Sequence, residues 1–168
     1  LLRDSDVKVC GVVGFPHGAN LPEVKALEAA LAIKNGAQEL DMVLNIGALR
    51  SKDYDLVERD IRGVVKVARQ RVKVKVIIET GYLNRVQQKV ACHLIAKAGA
   101  EFVKTSTGFG PRGARLQDII FLKRVTKGRL KIKVSGGIRD LESTLRFIAH
   151  GADRIGTSYG PQILRQMV

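Results

Sequence analysis

The chain contains no tryptophan, two cysteines, four prolines and only 5% aromatic residues. It is also short of acid: 16 Asp and Glu stand against 29 Lys and Arg, a formal net charge of +13. Cys10 and Cys92 are the only cysteines, and neither has a CxxC partner. Each lies in an apolar pattern and reads as a reduced, buried thiol of a cytosolic protein. Scarce aromatics, and basic residues scattered from Lys8 to Arg146, argue against a nucleic-acid surface of interleaved basic and aromatic side chains. The positive excess then belongs to a solvated surface or to the attraction of a small anion such as a phosphorylated metabolite. No apolar run approaches the ~18 residues of a membrane helix, and no signal-peptide pattern opens the chain. Because the first residue is Leu1 rather than methionine, the native N-terminus is expected upstream. No two histidines have metal-ligand spacing. No GxGxxG follows the first strand, which weakens a dinucleotide site.

What is present is an alternation of two periodicities in one uninterrupted domain, 1–168. Residues 7–15 (VKVCGVVGF) read as a strand. A helix follows, with Asn20 and Glu23 as a capping box, Pro22 in its first turn and an apolar stripe of Val24, Leu27 and Leu31. The segment QELDMVLNIG reads as the second strand. Residues 53–70 form a helix with Val57, Ile61, Val64, Val65 and Ala68 on one face. Strands at 72–80, 100–106, 130–137 and 152–158 alternate with helices at 84–98 (Val86, Val90, Leu94), 115–127 and 140–150 (Leu141, Leu145, Ile148). A short helix closes the chain. Six strands alternating with helices give an α/β fold with a parallel sheet. Three stretches, NGAQELD (35–41), AGAEFVK (98–104) and HGADRIG (150–156), share one αβ joint: a helix end, Gly-Ala, two residues, a strand. Both an open doubly wound sheet and a (β/α)8 barrel produce such a chain, and in both the chemistry gathers at the C-terminal ends of the strands. Polar residues at the ends of several different strands are barrel behaviour.

The polar residues are unusual for their positions. Lys104 follows Phe102-Val103 in AGAEFVKTSTGFG, Lys133 lies in KIKVSGG, and Asp41 interrupts ELDMVLNIG. A buried ammonium costs several kcal/mol unless it is paired or loses its proton. One strand-end lysine can snorkel to water, and one buried aspartate can serve a structural salt bridge. Two lysines and an aspartate on neighbouring strands fit a different use. A second ammonium and exclusion of water lower the pKa of a lysine, whose neutral amine can then attack a carbonyl. Asp41, with a water, would move protons. Gly136-Gly137, just before a helix that begins near Arg139, can cradle a phosphate, and Gly156, Thr157 and Ser158 can add donors from the last strand. His17 and Glu79 also stand at strand ends, His17 as a cap of its loop or a residue of the active-site rim and Glu79 as a candidate member of the polar site. His93 and His150 read as helix surface or packing residues.

The motifs GFPHG, ELDMVLNIG, VKVIIETGYL, FVKTSTGF, VKVSGGIR and RIGTS, in this order and at these intervals, closely resemble the deoxyribose-phosphate aldolase family over nearly the whole chain. The resemblance implies a TIM-type barrel and class I aldol chemistry: reversible cleavage of 2-deoxyribose 5-phosphate to acetaldehyde and glyceraldehyde 3-phosphate. It implies Lys104 as the Schiff-base lysine, Lys133 as the neighbour that depresses its pKa, and Asp41 as the proton-relay acid. Thr107 and Gly108 would line the substrate site. Gly136, Gly137, Arg139, Gly156, Thr157 and Ser158 would bind the phosphate. No metal or cofactor is expected, only the covalent iminium on lysine. The expected partner is a phosphorylated small molecule, with no nucleic acid and no membrane, in a cytoplasmic homo-oligomer of nucleotide catabolism. The family barrel begins with two strands ahead of 7–15, so the expected fold is a (β/α)8-type barrel lacking its first two strands. The chain ends soon after GPQIL, so a C-terminal tail that aids proton transfer in some relatives is expected to be absent. Two other readings compete: another lysine-dependent barrel aldolase with a different acceptor, and a truncated, catalytically silent phosphosugar-binding remnant.

Overall fold

Among the described residues short β-branched segments form six strands, and each connection between them is long enough to carry a helix back over the sheet. A computed structural model describes residues 2, 5–69 and 71–167. The strands are β1 (Cys10–Val13), β2 (Glu39–Val43), β3 (Lys73–Ile77), β4 (Phe102–Lys104), β5 (Lys131–Ser135) and β6 (Arg154–Gly156). The helices are α1 (Pro22–Lys34), α2 (Ile46–Arg50), α3 (Tyr54–Ala68), α4 (Arg85–Ala98), α5 (Leu116–Thr126), α6 (Leu141–Ala149) and α7 (Gly160–Arg165). All five strand pairs are parallel and the spatial order is β1-β2-β3-β4-β5-β6. A doubly wound sheet reverses its order at a switch point; this sheet never does, so it is wound in one sense only.

The sheet is also curled. Adjacent strands lie ~4.8 Å apart, so in a flat sheet β2 and β5 would stand about 14 Å from each other. Asp41 of β2 nevertheless bonds Lys133 of β5 at 2.7 Å, and Glu39 of β2 bonds Arg154 of β6. The result is a half-barrel with helices outside and a charged inner face. Along each strand, alternate residues face the helices: Val13, Leu40, Met42, Val76, Val103 and Ile132 are all fully buried there. They pack against Val57, Ile61 and Val64 of α3, Ile95 of α4, and Ile119 and Leu122 of α5.

The three repeated joints share one geometry. Gly36, Gly99 and Gly151 have φ of 101°, 91° and 103°, the left-handed region that lets glycine end a helix. The next residue, Ala37, Ala100 or Ala152, is buried and its N–H donates to the carbonyl five residues back, on Ala32, Ile95 or Phe147. The side chain after that accepts from a neighbouring backbone N–H. Gln38 takes Val9, Glu101 takes Val74 and Asp153 takes Ile132. Helix end, turn and strand start are thereby fixed together.

Several expectations are corrected. The second strand stops at Val43, because Asn45 turns the chain and caps α2 by accepting from the Ala48 N–H. Helix α3 ends at Ala68, and Gln70 lies outside the described residues. Leu21, not Asn20, is the N-cap of α1, and it makes no side-chain cap bond. The stripe of Val24, Leu27 and Leu31 faces outward, with Leu27 59% exposed, while Lys25 and Ala29 are fully buried. Lys25 is accommodated there because its Nζ donates to Asp60 Oδ2 at 2.5 Å and to the Val43 carbonyl at 2.9 Å. At the other end of the sheet, α6 buries Thr144 and Phe147 and leaves Leu145 and Ile148 half-exposed. In α4, Val86 is exposed while Leu94 is buried. Cys92 is buried as expected, but Cys10 is exposed. It lies on the inner face of β1, which pairs on one side only among the described residues. No helix is long and apolar enough to cross a membrane among the described residues.

Candidate active site

The curled sheet brings lysines from two strands onto one oxygen. Lys104 and Lys133 are register partners on β4 and β5, so they point to the same, inner face. Lys104 Nζ and Lys133 Nζ each lie 2.7 Å from Asp41 Oδ2. All three side chains are largely excluded from water: 10%, 13% and 4% exposed respectively. Gly156 on β6 makes room for this, since a Cβ there would meet Lys133 Cε at 3.2 Å.

Charge and burial set the protonation of the cluster. Burial alone would raise the Asp41 carboxyl, but the Lys104 and Lys133 ammonium groups override it and hold it well below the usual carboxylate range. Lys104 moves down from the ordinary lysine value. Burial is the main cause, the attraction of Asp41 opposes it, and the charge of Lys133 adds to it. A lysine so placed surrenders its proton more readily than a solvated one and can attack a carbonyl carbon. Among the described residues, no cluster of three or more His, Cys, Asp or Glu is placed to hold a metal ion.

Above the lysines, at the C-terminal ends of β4, β5 and β6, opens a cleft of about 380 Å³. Lys104, Thr107 and Gly108 line it from β4 and its loop; Lys133, Gly136, Gly137 and Arg139 line it from β5; Gly156, Thr157 and Ser158 line it from β6. Asp41 does not line it but bonds both lysines that do. Gly136 and Gly137 have φ of 90° and 78°, which turns the backbone after β5 across the mouth of the cleft ahead of α6. The Thr157 hydroxyl donates to the Ile138 carbonyl at 2.6 Å and accepts from Tyr159 N–H, so it fastens the β6 loop to the β5 loop. Arg139 lies over the Tyr159 ring at 5.5 Å.

Sequence reasoning missed three wall residues, Ser135, Ile138 and Tyr159. The Ser135 hydroxyl donates to the Ser106 carbonyl at 2.7 Å and ties the ends of β4 and β5 together. It missed Lys75 as well, fully buried below Asp41. Glu79 does not line this cleft; it lines the rim cleft beside it and reaches the site only through Thr107. Held at φ 48°, it accepts from the backbone N–H and the hydroxyl of Thr107 and so fixes the loop that follows Lys104. His17 is exposed and lines a separate rim cleft with Arg50 and Tyr82, while His93 and His150 are surface residues.

A family model described as DeoC/LacD family aldolase matches residues 3–166. The chain belongs to this aldolase family. It is 54% identical over 165 residues to the deoxyribose-phosphate aldolase of Halalkalibacterium halodurans, covering 98% of this chain and 74% of that relative. It is 53% identical over 163 residues to the deoxyribose-phosphate aldolase of Thermococcus kodakarensis, covering 96% and 73%. Among solved structures, the aldolase QR15 superposes with a TM-score of 0.93 at 48% identity, over 96% of this chain and 72% of that one. The tetrameric deoxyribose phosphate aldolase of Aeropyrum pernix superposes with a TM-score of 0.88 at 35% identity, over 96% and 68%. The half-barrel of this family member thus follows the architecture of full aldolase structures over nearly its whole length.

Proposed function

We propose that the chain is a class I aldolase, a carbon–carbon lyase that reversibly cleaves 2-deoxyribose 5-phosphate to acetaldehyde and glyceraldehyde 3-phosphate. The observation that carries this is the convergence of Lys104 and Lys133 on Asp41 Oδ2 at the floor of a glycine-lined cleft. The names of its aldolase relatives supply the substrate.

The neutral amine of Lys104 adds to the C1 aldehyde of the open-chain sugar. Loss of water leaves an iminium ion on Nζ, and removal of the C3 hydroxyl proton lets the C2–C3 bond break, with its electron pair flowing to the iminium nitrogen. Glyceraldehyde 3-phosphate departs, the enamine takes a proton at carbon, and water releases acetaldehyde. Ionised Asp41 accepts from both lysines at one oxygen; through that oxygen and a water it takes up the proton leaving Lys104 and the C3 hydroxyl proton, and it returns a proton to the enamine carbon by the same path. Gly136 and Gly137, with Arg139 and the Gly156–Ser158 backbone, receive the phosphate, with Thr107 and Gly108 against the sugar. The chemistry runs on lysine alone, without metal or cofactor. The reading extends to a cytoplasmic homo-oligomer of nucleotide catabolism.

The fold proposal is a barrel completed by two further strands between β6 and β1. Both strands are paired on one side only among the described residues, and apolar residues of α1 and α6 flank the opening. The 165 matched residues are 74% of the Halalkalibacterium relative, so roughly 60 of its residues lie outside the match, the length of about two βα units. Val12, 53% exposed on the inner face of β1, favours a second reading, a phosphosugar-binding barrel remnant without catalysis.

Borohydride reduction in the presence of acetaldehyde separates the two. The aldolase forms a stable adduct that peptide mass spectrometry places on Lys104 and that Lys104→Leu abolishes. Binding of 2-deoxyribose 5-phosphate with no adduct at any pH overturns the aldolase reading and leaves the remnant.

A further inference from the structure

Below the cleft, the inner face carries a ladder of charges that the reaction scheme leaves unused. Arg154 of β6 bonds Glu39 of β2. Glu39 Oε2 accepts from Lys75 Nζ of β3 at 2.9 Å, and the same Nζ donates to Asp41 Oδ1 at 2.9 Å. Lys75 is fully buried and does not line the cleft. It therefore meets no substrate, yet it is the charged donor to the Asp41 oxygen that Lys104 and Lys133 do not use, an oxygen that also accepts from the Cys10 thiol at 3.3 Å.

We infer that Lys75 is a positioning residue for the Schiff-base lysine: it claims Asp41 Oδ1, so that Lys104 and Lys133 must share Oδ2. This rests on the assignment of Lys104 as the amine that forms the iminium.

A carboxylate offers two oxygens and about four lone-pair sites. Released from Lys75, Asp41 can turn and give each cleft lysine an oxygen of its own, and each ammonium is then held more firmly. With Lys75 in place, two ammonium groups divide one oxygen, and the carboxylate's charge is already partly answered from below. The charged and titratable groups facing the cluster come from every strand except β4 itself: Cys10 of β1, Glu39 and Asp41 of β2, Lys75 of β3, Lys133 of β5 and Arg154 of β6. Burial and the adjacent Asp41 push the Cys10 thiol up, so it is uncharged. Around Lys104 there remain three cations and two carboxylates. Removing Lys75 cancels the positive excess; removing the charge of Glu39 increases it. The two changes must therefore move Lys104 in opposite directions.

The test is the pH dependence of adduct formation with acetaldehyde and borohydride, read by mass on Lys104, in the wild type, Lys75→Met and Glu39→Gln. A thermal melt confirms that each is folded. Lys75→Met is expected to move the rising limb toward alkaline pH by about one unit or more, the shift a neighbouring charge imposes. On the acid side of the limb that is roughly a tenfold loss of adduct. Glu39→Gln moves the limb the other way. If Lys75→Met fails to fold, Glu39→Gln decides: an acid shift supports the inference, and an unmoved or alkaline limb overturns it. Limbs coincident with wild type in both variants show that Lys75 only fills space. A wild type that gives no adduct at any pH removes the assignment of Lys104 and this inference with it. A normal wild-type limb that the variants leave unmoved removes this inference alone.

Discussion

Breaking the ion pair inside the helix layer should unfold the chain more readily than removing the pair altogether. Lys25 is fully buried between α1, α3 and β2, its Nζ 2.5 Å from Asp60 Oδ2, and the Asp60 side chain is 1% exposed. Asp60 Oδ1 has no hydrogen-bond partner among the described residues, so the carboxylate is only half satisfied there. Burial pushes Lys25 down and Asp60 up, each toward its neutral form, despite the contact between them. Desolvation therefore consumes most of what the attraction returns. Asp60→Ala strands an ammonium with a single carbonyl partner and is expected to cost about 3–5 kcal/mol. Lys25→Met combined with Asp60→Leu removes both charges at similar volume. The straight methionine chain suits the tight passage beside Gly14, where a Cβ would meet Lys25 Cε at 2.7 Å. This double variant is expected to be neutral or stabilised by about 1–4 kcal/mol. Urea unfolding followed by far-ultraviolet circular dichroism measures both, since the chain has no tryptophan to report by fluorescence. A double variant that loses as much as Asp60→Ala would refute the reasoning, because it would show that the pair contributes through something other than its charges.

The other predictions concern the cleft. Lys133→Met takes a cation from beside Lys104, each nitrogen being 2.7 Å from the same oxygen. At ~5 Å and an effective dielectric near 20 the repulsion removed is about 3 kcal/mol. The Lys104 ammonium becomes harder to deprotonate, so the trapped-adduct limb moves to higher pH; an unmoved limb would contradict the electrostatics. Gly137→Ala places a side chain at φ 78° with no atom of the described residues within 4 Å of its Cβ. It should cost about 1–2 kcal/mol of backbone strain in a denaturant melt and weaken inorganic phosphate binding, while adduct formation from acetaldehyde alone stays unchanged.

The parts of the fold that depend on neighbours in the chain were legible. The face of α3 and the three Gly-Ala joints follow from spacing, and a parallel sheet in sequential order put Lys104 and Lys133 side by side. What depends on distant partners was not. The buried side of α1 holds Lys25, and nothing near position 25 announces that Asp60 will meet it. The apolar stripe on α1 looked like a core face because hydropathy cannot say which flank a neighbour covers; the same ambiguity affected α6 at the other end. Lys73 and Lys75 lie on one face of β3 and differ only in depth along it, so the alternating VKVKV pattern could not mark one as exposed and the other as sealed beneath Asp41. Cys10 read as buried because its strand is apolar, but its side chain faces the open interior.

The three joints have a bearing on how such a molecule can be rebuilt. Each is closed by the same bonds at the same offsets, made within its own helix end and to the edge of an adjacent strand. A βα module cut just before its glycine carries no private geometry across the seam. Modules of this kind are natural units for shuffling or duplication, and chimaeras exchanged at Gly36, Gly99 or Gly151 should tolerate foreign neighbours better than cuts placed inside any strand.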